Sequence, residues 1–293
     1  MTDSNRKQAN NSLGLAGMAR RARSQLKGAL KDILRSKDLR IGGYERLTAA
    51  LFKANAHDNL PEQIDFLLHL QPDAAMRLLP HLPYTRSQAG QDLFALSQLG
   101  PKRDGYFVEF GATQGVNLSN SYFFETHLGW NGIVAEPARM WHRELRRNRK
   151  CHVETRCVWS ASGATLRFSE AAELSTVSDY ADSDFHAADR RGTESYEVRT
   201  ISLNDLLEEY QAPRIIDYLS IDTEGSEFEI LNAFDFGKRR FAVITCEHNH
   251  APHREKIYQL LTGKGYRRIM EEVSKADDWY VHPDSLASLT SAS

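Results

Sequence analysis

Two hydrophobic periods divide the chain. Over residues 13–36, Leu15, Met18, Ala22, Leu26, Leu30 and Ile33 recur at helical spacing, while Arg20, Arg21, Arg23, Lys27, Lys31 and Arg35 fill much of the remaining circumference. Residues 44–83 predict two or three further short helices, with Leu51, Ile64, Leu67 and Leu79 among their apolar positions and prolines at 61, 72, 80 and 83 between them. From residue 106 the pattern changes. Short runs of β-forming residues at 107–110, 133–135, 151–159, 215–221, 241–246, 266–270 and 279–282 are interspersed with helical stretches at 118–127, 138–149, 203–210, 227–234 and 253–263.

Strands alternating with helices predict an α/β fold, a Rossmann-like, mainly parallel sheet with helices on both faces, preceded by a small helical N-terminal region. The expected divisions are a basic amphipathic arm over 1–40 that is partly disordered, a helical lead-in over 41–84, the α/β domain over 85–283, and a disordered tail over 284–293. Ligands of such sheets bind beyond the carboxyl ends of the strands, so the residues just after each strand carry most of the functional information.

Charge is unevenly spread. Residues 1–40 hold ten Lys or Arg and three Asp, a net of +7, whereas the rest of the chain holds 27 basic and 36 acidic side chains, a net of −9. A helix like that over 13–36 can lie on an anionic membrane surface, grip an acidic partner or a second subunit, or pack on its own protein. An acidic body without a reading motif argues against nucleic acid. Cys151, Cys157 and Cys246 are too few for a disulfide framework and lack zinc-ligand spacing, which predicts structural thiols in a reducing compartment. No apolar run approaches the ~18 residues that span a bilayer, and the N-terminus lacks the compact apolar region of a secretory signal. The expected setting is cytoplasmic, with the arm as a means of peripheral contact with the inner face of a membrane.

The chemistry is concentrated at the strand ends. After the first strand comes Glu109-Phe110-Gly111-Ala112-Thr113-Gln114-Gly115, a glycine turn that lets a ligand approach the backbone. It departs from the dinucleotide G-x-G-x-x-G because Thr113 occupies the middle glycine position, and no Gly-Lys-Ser/Thr follows as in a phosphate-binding loop. The second strand ends on Glu136-Pro137, where a carboxylate can accept hydrogen bonds from both hydroxyls of a ribose or complement the next helix dipole. Ser160, after the third strand, is placed for an adenine edge or for a turn. Ser87-Gln88-Ala89-Gly90-Gln91-Asp92 opens a helix, with Gln91 and Asp92 facing the cleft or Ser87 and Asp92 capping. The long polar segment 170–196 has the length of a lid or binding loop. Asp222 and Glu224 end another strand and are close enough to share a proton or hold a divalent cation. Glu247-His248-Asn249-His250 ends the next, with His248 the imidazole best placed as a base and His250 and His253 the ones most readily solvated.

These segments resemble the FkbM-type methyltransferases, S-adenosylmethionine-dependent O-methyltransferases. The resemblance covers roughly residues 85–283 and rests on GQDLF, GYFVEFGATQG, GIVAEP, TISLNDLL, IDYLSIDTEGSEFEIL, ITCEHNH and GYRR, the IDTEGSEFEIL block being the most specific. It implies a seven-stranded sheet whose last strand runs antiparallel. It also implies S-adenosylmethionine as cofactor, with Glu109, Gly111, Thr113, Gly115 and Asn117 around its methionine part, Glu136 on its ribose, and Asp222 and Glu224 beside the reacting methyl. The acceptor implied is a hydroxyl of a sugar, polysaccharide or secondary metabolite.

An alcohol is a poor nucleophile and gains from losing its proton during attack, which makes Asp222, Glu224 and His248 the expected catalytic groups. The acidic pair can alternatively hold Mg²⁺, although the sequence requires no metal. The rival reading is a non-catalytic binding or scaffold protein with a degenerate cofactor site, attached to a membrane or assembly by its basic helix.

Overall fold

The structure, a computed structural model, describes residues 60–172, 175–177 and 194–290. The arm expected over 1–40, most of the lead-in before residue 60, and most of the polar segment lie outside them. Two helices, α1 (Leu60–Leu68) and α2 (Pro72–Leu78), and a 3₁₀ turn (Leu82–Tyr84) precede α3 (Gln91–Leu99). The α/β part then runs β1 (Tyr106–Phe110), α4 (Tyr122–Leu128), β2 (Asn131–Ala135), α5 (His142–Asn148), β3 (His152–Glu154), β4 (Cys157–Trp159), β5 (Thr165–Glu170), β6 (Thr176–Val177) and β7 (Glu194–Ser202). It ends with α6 (Leu203–Glu209), β8 (Ile215–Ile221), α7 (Glu227–Asn232), β9 (Arg240–Glu247), α8 (His253–Gly263), β10 (Arg267–Arg268), β11 (Asp277–Val281) and α9 (Pro283–Thr290).

Seven strands form one mixed sheet in the order β10-β11-β9-β8-β1-β2-β3, parallel except that β11 runs antiparallel to both β9 and β10. The last strand is thus the antiparallel one, as the resemblance implied. Alternation along the strands sends neighbouring residues to opposite faces. On β1, Phe107 joins a core with α1 to α4, whereas Val108 and Phe110 join one with α6, α7 and α8. The described lead-in belongs to the first of these cores. Phe66 meets Trp279 edge-on at 5.8 Å and Phe94 stacks on it at 4.6 Å, so 60–84 closes one face of the sheet.

Three expectations change. The strand expected over 151–159 is two strands, because the Glu154 carboxylate accepts the backbone N–H groups of Thr155 and Arg156 and turns the chain. The second piece, β4, enters a separate four-stranded sheet, β4-β7-β5-β6, that no pattern in the sequence reading anticipated. Its core is Ala138, Cys157, Phe168, Val177 and Val198. The tail expected to be disordered from 284 is helical to Thr290, its first turn held by the Leu286 N–H donating to the His282 carbonyl; residues 291–293 lie outside the described part. Among the described residues no helix is long and apolar enough to cross a membrane, and the three cysteines are free.

Candidate active site

Strand order places the site. From β1 the chain proceeds outward through β2 and β3, then returns to lay β8 against the other side of β1 and continues outward through β9. The crevice beyond the ends of β1 and β8 is therefore the switch point at which ligands of open α/β sheets bind. A cavity of about 420 Å³ opens there. Gly111, Thr113, Glu136, Asp222, Glu224 and Glu247 reach it from four strand ends, and Phe168 and Val177 of the second sheet form its apolar wall.

Gly111 and Asp222 are the residues immediately beyond the last paired positions of β1 and β8, Phe110 and Ile221. Gly111 has φ +75°, and a Cβ there would lie within 3.0 Å of the Asp222 carbonyl oxygen, closer than real Cβ atoms come. The glycine expected to admit a ligand thus also admits the neighbouring strand. Gly115, φ +86°, is excluded from a side chain by Leu145 and Arg149 and packs on α5 rather than lining the cavity. Thr113, Leu118, Glu224 and Asn249 all line the cavity with positive φ, between 42° and 61°. Such conformations are unfavourable for non-glycine residues and persist only where the surroundings impose them.

Glu109 is 2 % exposed. Its carboxylate accepts from the hydroxyls of Ser119 and Ser121 and the Asn120 N–H, with the buried Arg149 guanidinium at 3.4 Å. Arg149 also pairs with Glu125. Glu109 therefore organises the loop after the glycine turn, and those bonds explain why α4 starts at Tyr122 rather than at 118. They also bring Ser119 and Asn120 to the cavity, while Asn117, expected at the cofactor, is exposed outside it.

Glu136 takes one backbone N–H on each oxygen, Thr113 on Oε2 and Ala138 on Oε1, both at 2.8 Å. Burial pushes its pKa up to about 7 against those bonds. Each oxygen keeps a lone pair for a further donor, and Ala135, Pro137, Val158 and Phe168 supply apolar surface to the same cavity. A carboxylate next to an apolar strip fits a nucleoside. Ser160, expected at the adenine edge, does not line the cavity; Cys157 and Val158 do.

Asp222, Glu224 and Glu247 bring carboxylate oxygens within 4.8 Å of one another. Burial raises the Asp222 pKa to about 6, opposed by a hydrogen bond with Glu247. Glu247 is driven well above the usual carboxylate range by burial and by the charge of Asp222. Burial and the mutual repulsion of the two acids thus both favour a proton shared within the pair. Glu224 is held by the Asn249 amide at 3.3 Å, and its carbonyl accepts from the Thr176 hydroxyl at 2.9 Å, which ties the second sheet to this loop. Glu227 accepts from the N–H groups of Thr223 and Gly225 and so holds the loop that leads into α7.

His248, expected as a base, does not line the cavity; with Glu227 and His253 it lines a small neighbouring void that Glu247 also borders. It is 2 % exposed, 3.8 Å from Asp278, and burial lowers its pKa to about 4. His253, expected to be solvated, lies 3.5 Å from Glu227, whereas His250 is exposed. Gln91 lines the cavity and donates to Asp277 at 3.0 Å, while Asp92 is a buried cap for Arg86, Ser87 and Leu93.

A sheet switch point lined by a buried carboxylate, an apolar slot and a cluster of acids is the ligand site of a Rossmann-like sheet. Comparison makes this specific. Residues 109–268, more than half of the chain, match the methyltransferase FkbM domain, and the chain belongs to the FkbM methyltransferase family. It is therefore a methyltransferase, and S-adenosylmethionine is the cofactor its family implies. No curated protein sequence matches it. Similar solved structures include precorrin-6y C5,15-methyltransferase from Geobacter metallireducens, 12 % identical over 66 % of this chain and 88 % of that one, TM-score 0.38. Another is the C-terminal domain of precorrin-6Y C5,15-methyltransferase from Rhodobacter capsulatus, 13 % identical over 64 % and 78 %, TM-score 0.32.

Proposed function

We propose that the protein transfers a methyl group from S-adenosylmethionine to a hydroxyl of a sugar, polysaccharide or secondary metabolite. The observation that carries this reading is the cluster of Asp222, Glu224 and Glu247, whose carboxylate oxygens lie within 4.8 Å of one another in the same cavity as Glu136. The cofactor, when bound, supplies an activated methyl on a good leaving group. Everything else falls to this chain.

Glu136 would hold the ribose hydroxyls, and the wall from Val158 to Phe168 would exclude water from the base. Asp222 would take the proton of the attacking hydroxyl as oxygen bonds to the methyl carbon, and the proton on Glu247 would steady the Asp222 charge until then. Glu224 would position the acceptor from the opposite side of the pair. His248 has no part in this arrangement.

The test is incubation with methyl-labelled S-adenosylmethionine and a panel of alkyl glycosides and polyols. Label recovered as an alkali-stable ether supports the proposal; label recovered only as an alkali-labile ester or on nitrogen rejects it. The same three carboxylates are the donor set of a hard divalent cation. Turnover unchanged by EDTA is expected for the proton-acceptor role, whereas loss restored by Mg²⁺ would assign the trio to a cation. Cofactor binding without any transfer would favour the scaffold reading.

A further inference from the structure

Charge inside the cavity narrows the acceptor. Five carboxylic groups line it, from Glu109, Glu136, Asp222, Glu224 and Glu247, of which Glu109 alone is paired with a guanidinium, that of Arg149, and among the described residues no lysine, arginine or histidine lines it. Among the described residues, four arginines have partners of their own. Arg149 is buried between Glu109 and Glu125. Arg139 stacks on Tyr196 at 4.0 Å and donates to the Glu197 carbonyl. Arg254 and Arg268 both turn to Asp278. Residues 178–193, which join the two strands β6 and β7, contain four Asp and two Arg, so they add no net positive charge.

A hydroxyl or ammonium group entering this cavity can donate a charge-assisted hydrogen bond to a carboxylate. A phosphate, sulfate or carboxylate can only accept, and meets like charge in a partly desolvated space. Building on the methyltransferase reading, we propose that the acceptor is an uncharged polyol or a cationic sugar, and that acceptors carrying an anionic group beside the reacting hydroxyl are rejected. The same field favours the cationic sulfonium cofactor over its neutral thioether product, which helps the spent cofactor leave.

Two measurements on the full-length protein test this. In the first, methyl-labelled S-adenosylmethionine is offered with matched pools of neutral alkyl hexosides, their amino-sugar analogues, and their phosphate esters and uronates. Label in the neutral and amino pools should exceed that in the anionic pools by about tenfold or more, a difference of about 1.4 kcal/mol or more. Equal or greater label in the anionic pools overturns the proposal while leaving methyl transfer intact. If no pool is labelled, the second measurement decides.

In the second, calorimetry compares S-adenosylmethionine with S-adenosylhomocysteine at about 20 mM and about 300 mM salt, which changes screening severalfold. The sulfonium form should bind about tenfold more tightly at low salt, with the advantage shrinking at high salt. Equal affinities at both salt concentrations overturn the charge argument. Binding of neither compound rejects the methyltransferase reading itself, and the acceptor proposal falls with it.

Discussion

Gly111 and Asp222 lie side by side at the ends of two neighbouring parallel strands, too close for the glycine to carry a side chain. The position of the acid thus depends on the absence of a Cβ across the crevice. Gly111→Ala should force Asp222 back and strain a φ of +75°. We expect a loss of about 1–3 kcal/mol of stability, the usual cost of overpacking, with cofactor affinity and turnover falling together. Urea unfolding and calorimetry read the two effects, and an alanine variant of wild-type stability would contradict the contact.

Arg149 is 4 % exposed between Glu109 and Glu125. Arg149→Met leaves two buried carboxylates without a counter-charge and should lower stability by about 3–5 kcal/mol. Arg149→Lys should recover little of this, because an ammonium cannot reach Glu109, Glu125 and Ser121 at once as the guanidinium does. The midpoint of guanidinium unfolding is the measurement.

Glu136 gives the stability a pH dependence of known sign. Its carboxyl titrates at about 7 in the folded protein against an ordinary value of 4.5. Below 4.5 both states are protonated and nothing is lost. Between the two values the unfolded chain ionises while the folded one holds its proton, so folding becomes progressively less favourable as pH rises, until the full penalty is reached above 7. Glu136→Gln removes this slope. Its stability relative to wild type should rise from about pH 5 to about pH 8, by roughly 3 kcal/mol at most. Gln retains only one acceptor for the two N–H donors, so a constant offset is expected and the slope is what decides. Glu136→Ala should separately weaken S-adenosylmethionine by roughly 1–3 kcal/mol. Unchanged affinity would reject the ribose role.

Asp222 and His248 separate two accounts of the base. Asp222→Asn should lower turnover by roughly 10²–10³-fold, within the range of acid–base contributions, whereas Glu247→Gln, which still donates a hydrogen bond to Asp222, should lose much less. His248→Asn should alter stability but leave the pH profile of turnover in place. The opposite pattern would return the histidine to the reaction.

Thr176 links the second sheet to the acidic loop through the Glu224 carbonyl. Thr176→Val should lose about 0.5–1.5 kcal/mol, the net worth of one hydrogen bond, and loosen Glu224. Faster hydrogen exchange at residues 223–226 would show it; unchanged protection would mean that the loop is held without the second sheet.

Much of this was legible in sequence because it depends on short-range pattern. The apolar runs fixed the existence of the main strands, and the acids after them marked the site: Glu136, Asp222 and Glu224 all reach the cavity. Sequence also flagged Glu247, but could not separate it from His248, its neighbour just beyond β9, because only the folded chain shows which of the two lines the cavity. Asn117 and Ser160 do not line the cavity while residues one to three positions away do, where turns held by Glu109 and Glu154 set the direction of the chain. The second sheet was missed because β5 pairs with β7 across a long polar segment, a partnership invisible to local periodicity.

The sequence by itself determined an α/β chain, its family and the acids at its strand ends, because strand–helix alternation and family motifs are local or directly aligned properties. Tertiary structure decided which acids meet. Asp222, just after β8, and Glu247, the last residue of β9, come together only because β8 and β9 lie side by side. Gly111 serves Asp222 only because β1 is inserted on the other side of β8. Strand order is a long-range property, and it turned separate residues into one acidic cavity.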